Sequence, residues 1–204
     1  MSMFCYQCEQ TAKGEGCTLM GVCGKSPEAA ALQDLIVYQL KGVGAAAHRA
    51  RKLGKVDRSV DVAVVEGLFT TVTNVNFDPE RLAAVVRRLA AAGQKAVALY
   101  QAACAASGTQ PEALPAAAQF VPAADVAGMV AQGAAVGIQA RVAAAGEDVA
   151  GLQELLVYGL KGAAAYADHA QVLGKEDPAV YGFFHEALSY LADSPTDAQA
   201  LTGW

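Results

Sequence analysis

Four cysteines lie close together near the start of the sequence, in a segment that is rich in glycine and poor in large apolar residues. They are Cys5, Cys8, Cys17 and Cys23. With two, eight and five residues between them, these thiolates form a ligand set for a [4Fe–4S] or a [2Fe–2S] cluster. Interspersed glycines let the chain wrap tightly, and Lys13 and Lys25 add positive charge close to anionic ligands. The residues alone therefore favour iron–sulfur binding.

A zinc site and disulfide bonds remain alternative interpretations of the four cysteines. A structural zinc site also uses four thiolates, but usually as two close pairs, and only Cys5 and Cys8 form a close pair here. Two disulfides are chemically possible, yet residues 1–9 contain no apolar run of the kind that directs export. The expected compartment is the reducing cytoplasm, where disulfides are rare. Cys104 stands alone in an alanine-rich stretch and is expected to be a buried core residue.

Composition indicates a folded chain. Of the 204 residues 54% are hydrophobic and 17% are charged, which supports a true core. The net charge of −5 argues against a nucleic-acid partner, because phosphate binding requires clustered Lys and Arg. Apolar runs are interrupted well before the roughly 18 residues of a membrane span, so no membrane association is expected.

Downstream of the cysteines the sequence predicts an all-α fold. Ser26-Pro27-Glu28 combines a capping hydroxyl, a proline at the first helical position and an acid in the first turn. The apolar residues that follow recur at helical spacing. Similar start signals occur at Asp78-Pro79-Glu80 and at Asp177-Pro178. Gly42 and Gly44, inside the first helical pattern, are expected to permit close contact between helices.

An internal repeat organises the helical region. Residues 32–42 match residues 152–162, and the match continues to a shared Leu-Gly-Lys-x-Asp turn ending at Asp57 and Asp177. Each copy is predicted to be a helical hairpin, with Gly54 or Gly174 ending the first helix. A third helix, about 79–106, follows the first copy.

The repeat also predicts the domain organisation. It gives a cluster-binding segment at 1–25, a first three-helix-type bundle at 26–106, a connection at 107–125 and a second bundle at 126–204. By this logic the second bundle lacks its own third helix. Either another segment such as 125–145 fills the place, or the chain is part of something longer.

Other polar residues offer weaker signals. His48, His169 and His185 are expected to be helix-surface residues, and Tyr38 and Tyr158 core or interface residues. The zinc-protease and di-iron sequence patterns are absent. No catalytic residue is assigned.

The amino-terminal motifs resemble one known family. Phe4 to Ala12, Gly16-Cys17-Thr18 and Gly21 to Lys25 closely resemble the start of hybrid-cluster proteins, also called prismane proteins or hydroxylamine reductases. The likeness continues through 32–35, 67–69 and 159–167. It therefore extends over essentially the whole chain.

The resemblance implies a fold, a cofactor and a reaction. The family's first domain consists of two three-helix bundles, and its four amino-terminal cysteines hold the simpler cluster. The spacing in this chain is similar to that of the subgroup typical of anaerobes, which binds [4Fe–4S]. In the family, hydroxylamine or nitric oxide is reduced at a separate hybrid cluster held by later α/β domains.

This sequence departs from the family at that second cluster. Cys104 is the only cysteine after Cys23, so one chain cannot supply the cysteines of a hybrid cluster. The expected function is that of an electron-transfer domain, with a redox donor and the family's catalytic domains as partners. The alternative is an interaction or dimerisation module whose cluster is structural or senses redox state.

Overall fold

Helices dominate the computed structural model, which describes residues 3–204. Met1 and Ser2, the first residues of the predicted 1–25 segment, lie outside the described residues. The helices are α1 (Pro27–Lys52), α2 (Arg58–Thr70), α3 (Pro79–Ser107), α4 (Val126–Val136), α5 (Ile138–Ala145), α6 (Glu147–Val172), α7 (Pro178–Ala192) and α8 (Ala198–Thr202). Short 3-10 turns occur at Ala12–Gly14 and Ala116–Gln119. The all-α prediction is confirmed. No helix within residues 3–204 combines the length and the apolarity needed to cross a bilayer.

The helix starts follow the capping chemistry in the sequence. The Ser26 Oγ accepts a hydrogen bond of 3.2 Å from the Ala29 N–H at the start of α1. The Asp78 carboxylate accepts from two backbone N–H groups at the start of α3. Each cap satisfies donors that have no partner within the helix. The predicted helix starts are therefore confirmed.

The repeat is visible in three dimensions. Helices α1 and α6 each contain 26 residues, and each is followed, just after its C-cap, by a glycine with positive φ, Gly54 at 75° and Gly174 at 71°. The buried amides of Gln33 and Gln153, at equivalent positions, each donate to a backbone carbonyl of the loop after the next helix. The predicted hairpin turns are confirmed.

The two hairpins pack against each other. Helix α1 contacts α7, and α2 contacts α6, so that exchanging the two copies maps one contact onto the other. Arg51 donates a hydrogen bond to the Pro178 carbonyl. In the repeat, position 171 is equivalent to 51 and position 58 to 178, and there Arg58 donates to the Gln171 side chain. One apolar core runs through α1, α2, α3, α4, α6 and α7. The division into bundles at 26–106 and 126–204 stays a prediction.

Close contacts on α1 explain its glycines. A Cβ added at Gly42 would lie 2.2 Å from the backbone of Ala117, and one at Gly44 would lie 2.5 Å from the Leu188 Cβ. The prediction that these glycines permit close packing is confirmed. Segment 126–145 forms α4, which packs on α1, and α5, which packs on α6.

The histidine prediction is wrong for one residue. His185 is 1% exposed, and its Nε2 lies 3.4 Å from Asp61, which also pairs with Arg51 at 2.8 Å. The contact between α1 and α7 buries this face of α7, and the sequence of α7 alone does not show that contact. His169 is exposed, as expected, and His48 is half-buried.

Candidate metal centre

Cys5 and Cys17 are held side by side by the backbone. They form an isolated antiparallel bridge, in which the Cys5 N–H donates to the Cys17 carbonyl at 3.2 Å and the Cys17 N–H donates to the Cys5 carbonyl at 2.9 Å. Residues that exchange both hydrogen bonds project their side chains to the same side. Cys17 is buried in a small apolar cluster with Met3 and Ala30 of α1, and Cys5 packs against that cluster. The loop thus presents two thiols together on one face.

Cys8 and Cys23 lie in tight turns of the same segment. The Cys8 carbonyl accepts from the Thr11 N–H at 3.2 Å. The turn around Cys23 is closed by a bond from the Gly21 N–H to the Lys25 carbonyl at 2.9 Å. A Cβ at Gly21 would lie 3.1 Å from the Cys23 Sγ. Glycine therefore leaves space beside a predicted ligand that a larger residue would occupy.

The four thiols do not converge on a single point. Within residues 3–204, no three side chains of His, Cys, Asp or Glu come together closely enough to hold one metal ion. The structure brings Cys5 and Cys17 together, and the full ligand set stays a prediction.

Lys25 places a positive charge against these thiols. Its side chain is 3% exposed, and its Nζ lies 3.7 Å from the Cys5 Sγ. The ammonium also lies 5.7 Å from the centre of the Phe77 ring. A buried cation at this distance can offset the negative charge of a metal-bound thiolate. The expected proximity of Lys25 to the thiols is confirmed at Cys5, whereas Lys13 is exposed.

A second buried lysine lies near the loop, and the sequence analysis missed it. Lys161 of α6 donates from its Nζ to the Gln7 Oε1 at 3.2 Å and to the Thr71 carbonyl at 3.3 Å. Burial lowers the pKa of Lys161 to about 8, and Glu154 acts in the opposite direction. Lys161 and its repeat equivalent Lys41 each interrupt an apolar helical pattern in the sequence. A lysine at the same place in both copies was the available signal that this side chain is buried.

Charged side chains of α1, α5 and α6 act electrostatically on Tyr6 of the loop. Glu154 of α6 pairs with Arg141 of α5 at 2.6 Å. Burial, with Glu154 as the second cause, raises the pKa of Asp34 to about 6. The Tyr6 ring meets the Tyr158 ring edge-on, with 6.2 Å between centroids. The Tyr6–Tyr158 contact joins the cysteine loop to α6.

Cys104 lies in a different environment from the other four cysteines. It is 1% exposed and packs with Ala50 and Tyr100 between α1 and α3. Its prediction as a core residue is confirmed.

Comparisons with known proteins cover nearly the whole chain. Residues 3–203 match the model of the Prismane/CO dehydrogenase family. The chain is 50% identical over 201 residues to a hydroxylamine reductase of Rhodospirillum rubrum, a match that covers 98% of this chain and 37% of that protein. Hydroxylamine reductases of Geobacter sulfurreducens and Methanocella arvoryzae are 51% and 49% identical, with 95% and 94% of this chain covered and 35% of each relative. The chain therefore spans little more than a third of the length of these relatives.

Proposed function

Because this chain belongs to the Prismane/CO dehydrogenase family, we propose that Cys5, Cys8, Cys17 and Cys23 bind a [4Fe–4S] cluster and that the chain is an electron-transfer domain. Proteins of this family bind iron–sulfur clusters. The observation that carries the proposal is the pairing of Cys5 and Cys17 on one face, with Lys25 3.7 Å from the Cys5 Sγ. When bound, such a cluster accepts and donates single electrons.

The surrounding residues fit an anionic group. Lys25 and Lys161 are both at least nine-tenths buried and lie on the protein side of the loop. Their positive charges offset the negative charge of thiolate ligands. Burying that negative charge without a group of opposite charge nearby would cost free energy. Ala30 and Met3 give the Cys5–Cys17 pair an apolar backing. Burial, charge and hydrogen bonding are the means by which a protein sets a cluster's potential.

The names of the relatives support a proposal about the partners of the domain. The matched proteins are named hydroxylamine reductases, and this chain aligns with about a third of each. We assign to this domain the supply of electrons, received from a redox donor protein, to a catalytic centre held by the remainder of such a reductase. The chain alone is expected to have negligible hydroxylamine reductase activity, because four thiolate-capped irons leave no open position for substrate.

A redox titration tests this function. The anaerobically prepared chain would be titrated with dithionite and a mediator set while the visible absorption is followed. A reversible one-electron transition supports electron transfer. A chain that contains iron and sulfide but shows no reversible transition would contradict it.

A second candidate function has one observation in its favour. Helices α6 and α7 expose apolar side chains, including Leu155 at 66% and Tyr166 at 81%, and a groove between α6, α7 and α8 is lined by Phe183 and Trp204. Exposed apolar patches mark contact surfaces. An interaction module would bury this groove in a partner or a second copy. Tight self-association combined with a redox-silent cluster would favour this candidate.

A further inference from the structure

Lys161 joins three parts of the molecule that are distant in the sequence. Its ammonium donates to Gln7, between the first two cysteines, and to the carbonyl of Thr71 at the end of α2. The Gln7 Nε2 donates to the same carbonyl at 3.3 Å. Thr71 is fully buried, and Lys161 is 5% exposed. The result is a closed ring of three hydrogen bonds between the cysteine loop, α2 and α6.

This ring restrains the Cys5–Cys8 segment. Residues 3–25 contain little regular structure apart from the Cys5–Cys17 bridge and one 3-10 turn. Tyr6 and Gln7 take part in none of the described backbone hydrogen bonds, so a side-chain anchor at Gln7 limits how far the stretch between Cys5 and Cys8 can move. The anchor comes from α6, 154 residues later in the chain.

The ring also brings charge to the loop. Burial disfavours the charged form of a lysine, and this desolvation lowers the pKa of Lys161. Its position is better explained if it faces a group of opposite charge. Cys5 is among the groups that favour the charged lysine, together with Glu154 and Asp34. The Nζ also lies 5.5 Å from the centre of the Tyr158 ring.

We propose that Lys161 is a positioning residue for the iron–sulfur site, which anchors the Cys5–Cys8 segment through Gln7 and makes the bound cluster easier to reduce. The inference rests on the proposed function. It adds a residue that is separate from the cysteines and lies in the second repeat. A nearby positive charge stabilises the more negative, reduced form, so that removing the charge lowers the reduction potential.

The repeat supplies a matched control. Lys41 occupies the position equivalent to Lys161, is similarly buried at 6%, and also has a pKa lowered by burial to about 8. Among the described hydrogen bonds of this chain, Lys161 donates to the cysteine segment and Lys41 does not. A change at Lys41 therefore reproduces the loss of a buried lysine without the loss of the anchor.

The test measures the midpoint potential of the full chain by EPR-monitored titration. Lys161→Met is expected to lower the equilibrium constant for reduction of the cluster at least tenfold, which is a fall of at least 59 mV in midpoint potential for one electron. In Lys161→Arg and Lys41→Met this equilibrium constant is expected to stay within threefold of the wild-type value. An unchanged potential in Lys161→Met, or an equal fall in Lys41→Met, would overturn the proposal. A wild-type chain without iron would instead refute the proposed function.

A second variant covers the possibility that Lys161→Met does not fold. Gln7→Leu breaks the ring but leaves Lys161 in place. We expect it to lose iron to a chelator at least tenfold faster than the wild type, while the far-UV circular dichroism is unchanged. Iron loss at the wild-type rate would overturn the anchoring role.

Discussion

Cys5 and Cys17 exchange both of their backbone hydrogen bonds, at 3.2 and 2.9 Å, although eleven residues separate them in the sequence. Because the bonds involve backbone atoms only, the pairing does not depend on either thiol. The backbone of the loop thus holds these two residues with both side chains on one side of the bridge.

Replacing the Cys17 side chain should therefore remove a ligand without removing a donor or acceptor of the backbone bridge. We expect Cys17→Ala to lose or convert the cluster, because one of the four thiolates is missing. Cys104→Ala is the matched control, since Cys104 is buried between α1 and α3. Visible absorption and iron content of the two purified variants measure the difference. Equal losses from both would show that the ligands are misassigned.

One substitution at two equivalent glycines should have opposite effects. Gly42 and Gly162 occupy the same position in the repeat, but a Cβ at Gly42 would lie 2.2 Å from Ala117, whereas nothing lies within 4 Å at Gly162. We expect Gly42→Ala to lower the free energy of unfolding by about 1–3 kcal/mol through overpacking. Gly162→Ala should raise it by up to about 1 kcal/mol through helix propensity. Urea unfolding of both variants checks the signs, and two losses of similar size would contradict this account.

That contrast shows what the sequence can predict. The repeat predicted the hairpins, their glycine turns and their caps, because those features depend on residues close in sequence. It did not predict that α1 packs on α7 and α2 on α6, because pairing between copies depends on which faces meet. For the same reason His185 was expected at the surface and lies in the core.

The sequence predicted the part of the site that lies within one short segment, but not the part that the fold brings to it. The cysteines and Lys25 are neighbours in sequence and were found from their spacing. Lys161 was not found, because it reaches the loop only through the fold. A lysine at the same place in both copies of an apolar helix pattern was a signal of burial, but it did not indicate what the lysine contacts.

Stability should depend on pH through Asp34. Burial raises the folded-state pKa of this carboxyl to about 6, above its usual 3.8, so the folded state binds the proton more tightly. The contribution of Asp34 is therefore most favourable below about pH 4 and is lost as the pH rises through 6. We expect Asp34→Asn to raise the free energy of unfolding by about 1–3 kcal/mol at pH 8, and by little at pH 4.

Asp57 provides a control of opposite sign for that measurement. Hydrogen bonds from Lys95 and Ser59 lower the pKa of its carboxyl to about 2. Asp57→Asn should therefore reduce stability at pH 8 rather than raise it. Denaturant unfolding at both pH values separates the two cases. A pH-independent effect of Asp34→Asn would argue against the buried carboxylate.

The helical part should remain folded without metal. The main core is built from residues of α1 to α4, α6 and α7 and contains none of the four amino-terminal cysteines. We expect removal of iron to disorder residues 3–25 and to leave most of the far-UV circular dichroism signal. Collapse of most of that signal would mean that the core depends on the cluster.

The central claim is that Cys5, Cys8, Cys17 and Cys23 together hold one [4Fe–4S] cluster. It is tested most directly by the iron and acid-labile sulfide content of anaerobically purified chain. The account predicts about four irons and four sulfides per chain, as expected for the cube that four thiolates hold. Stoichiometric zinc without iron or sulfide would contradict it.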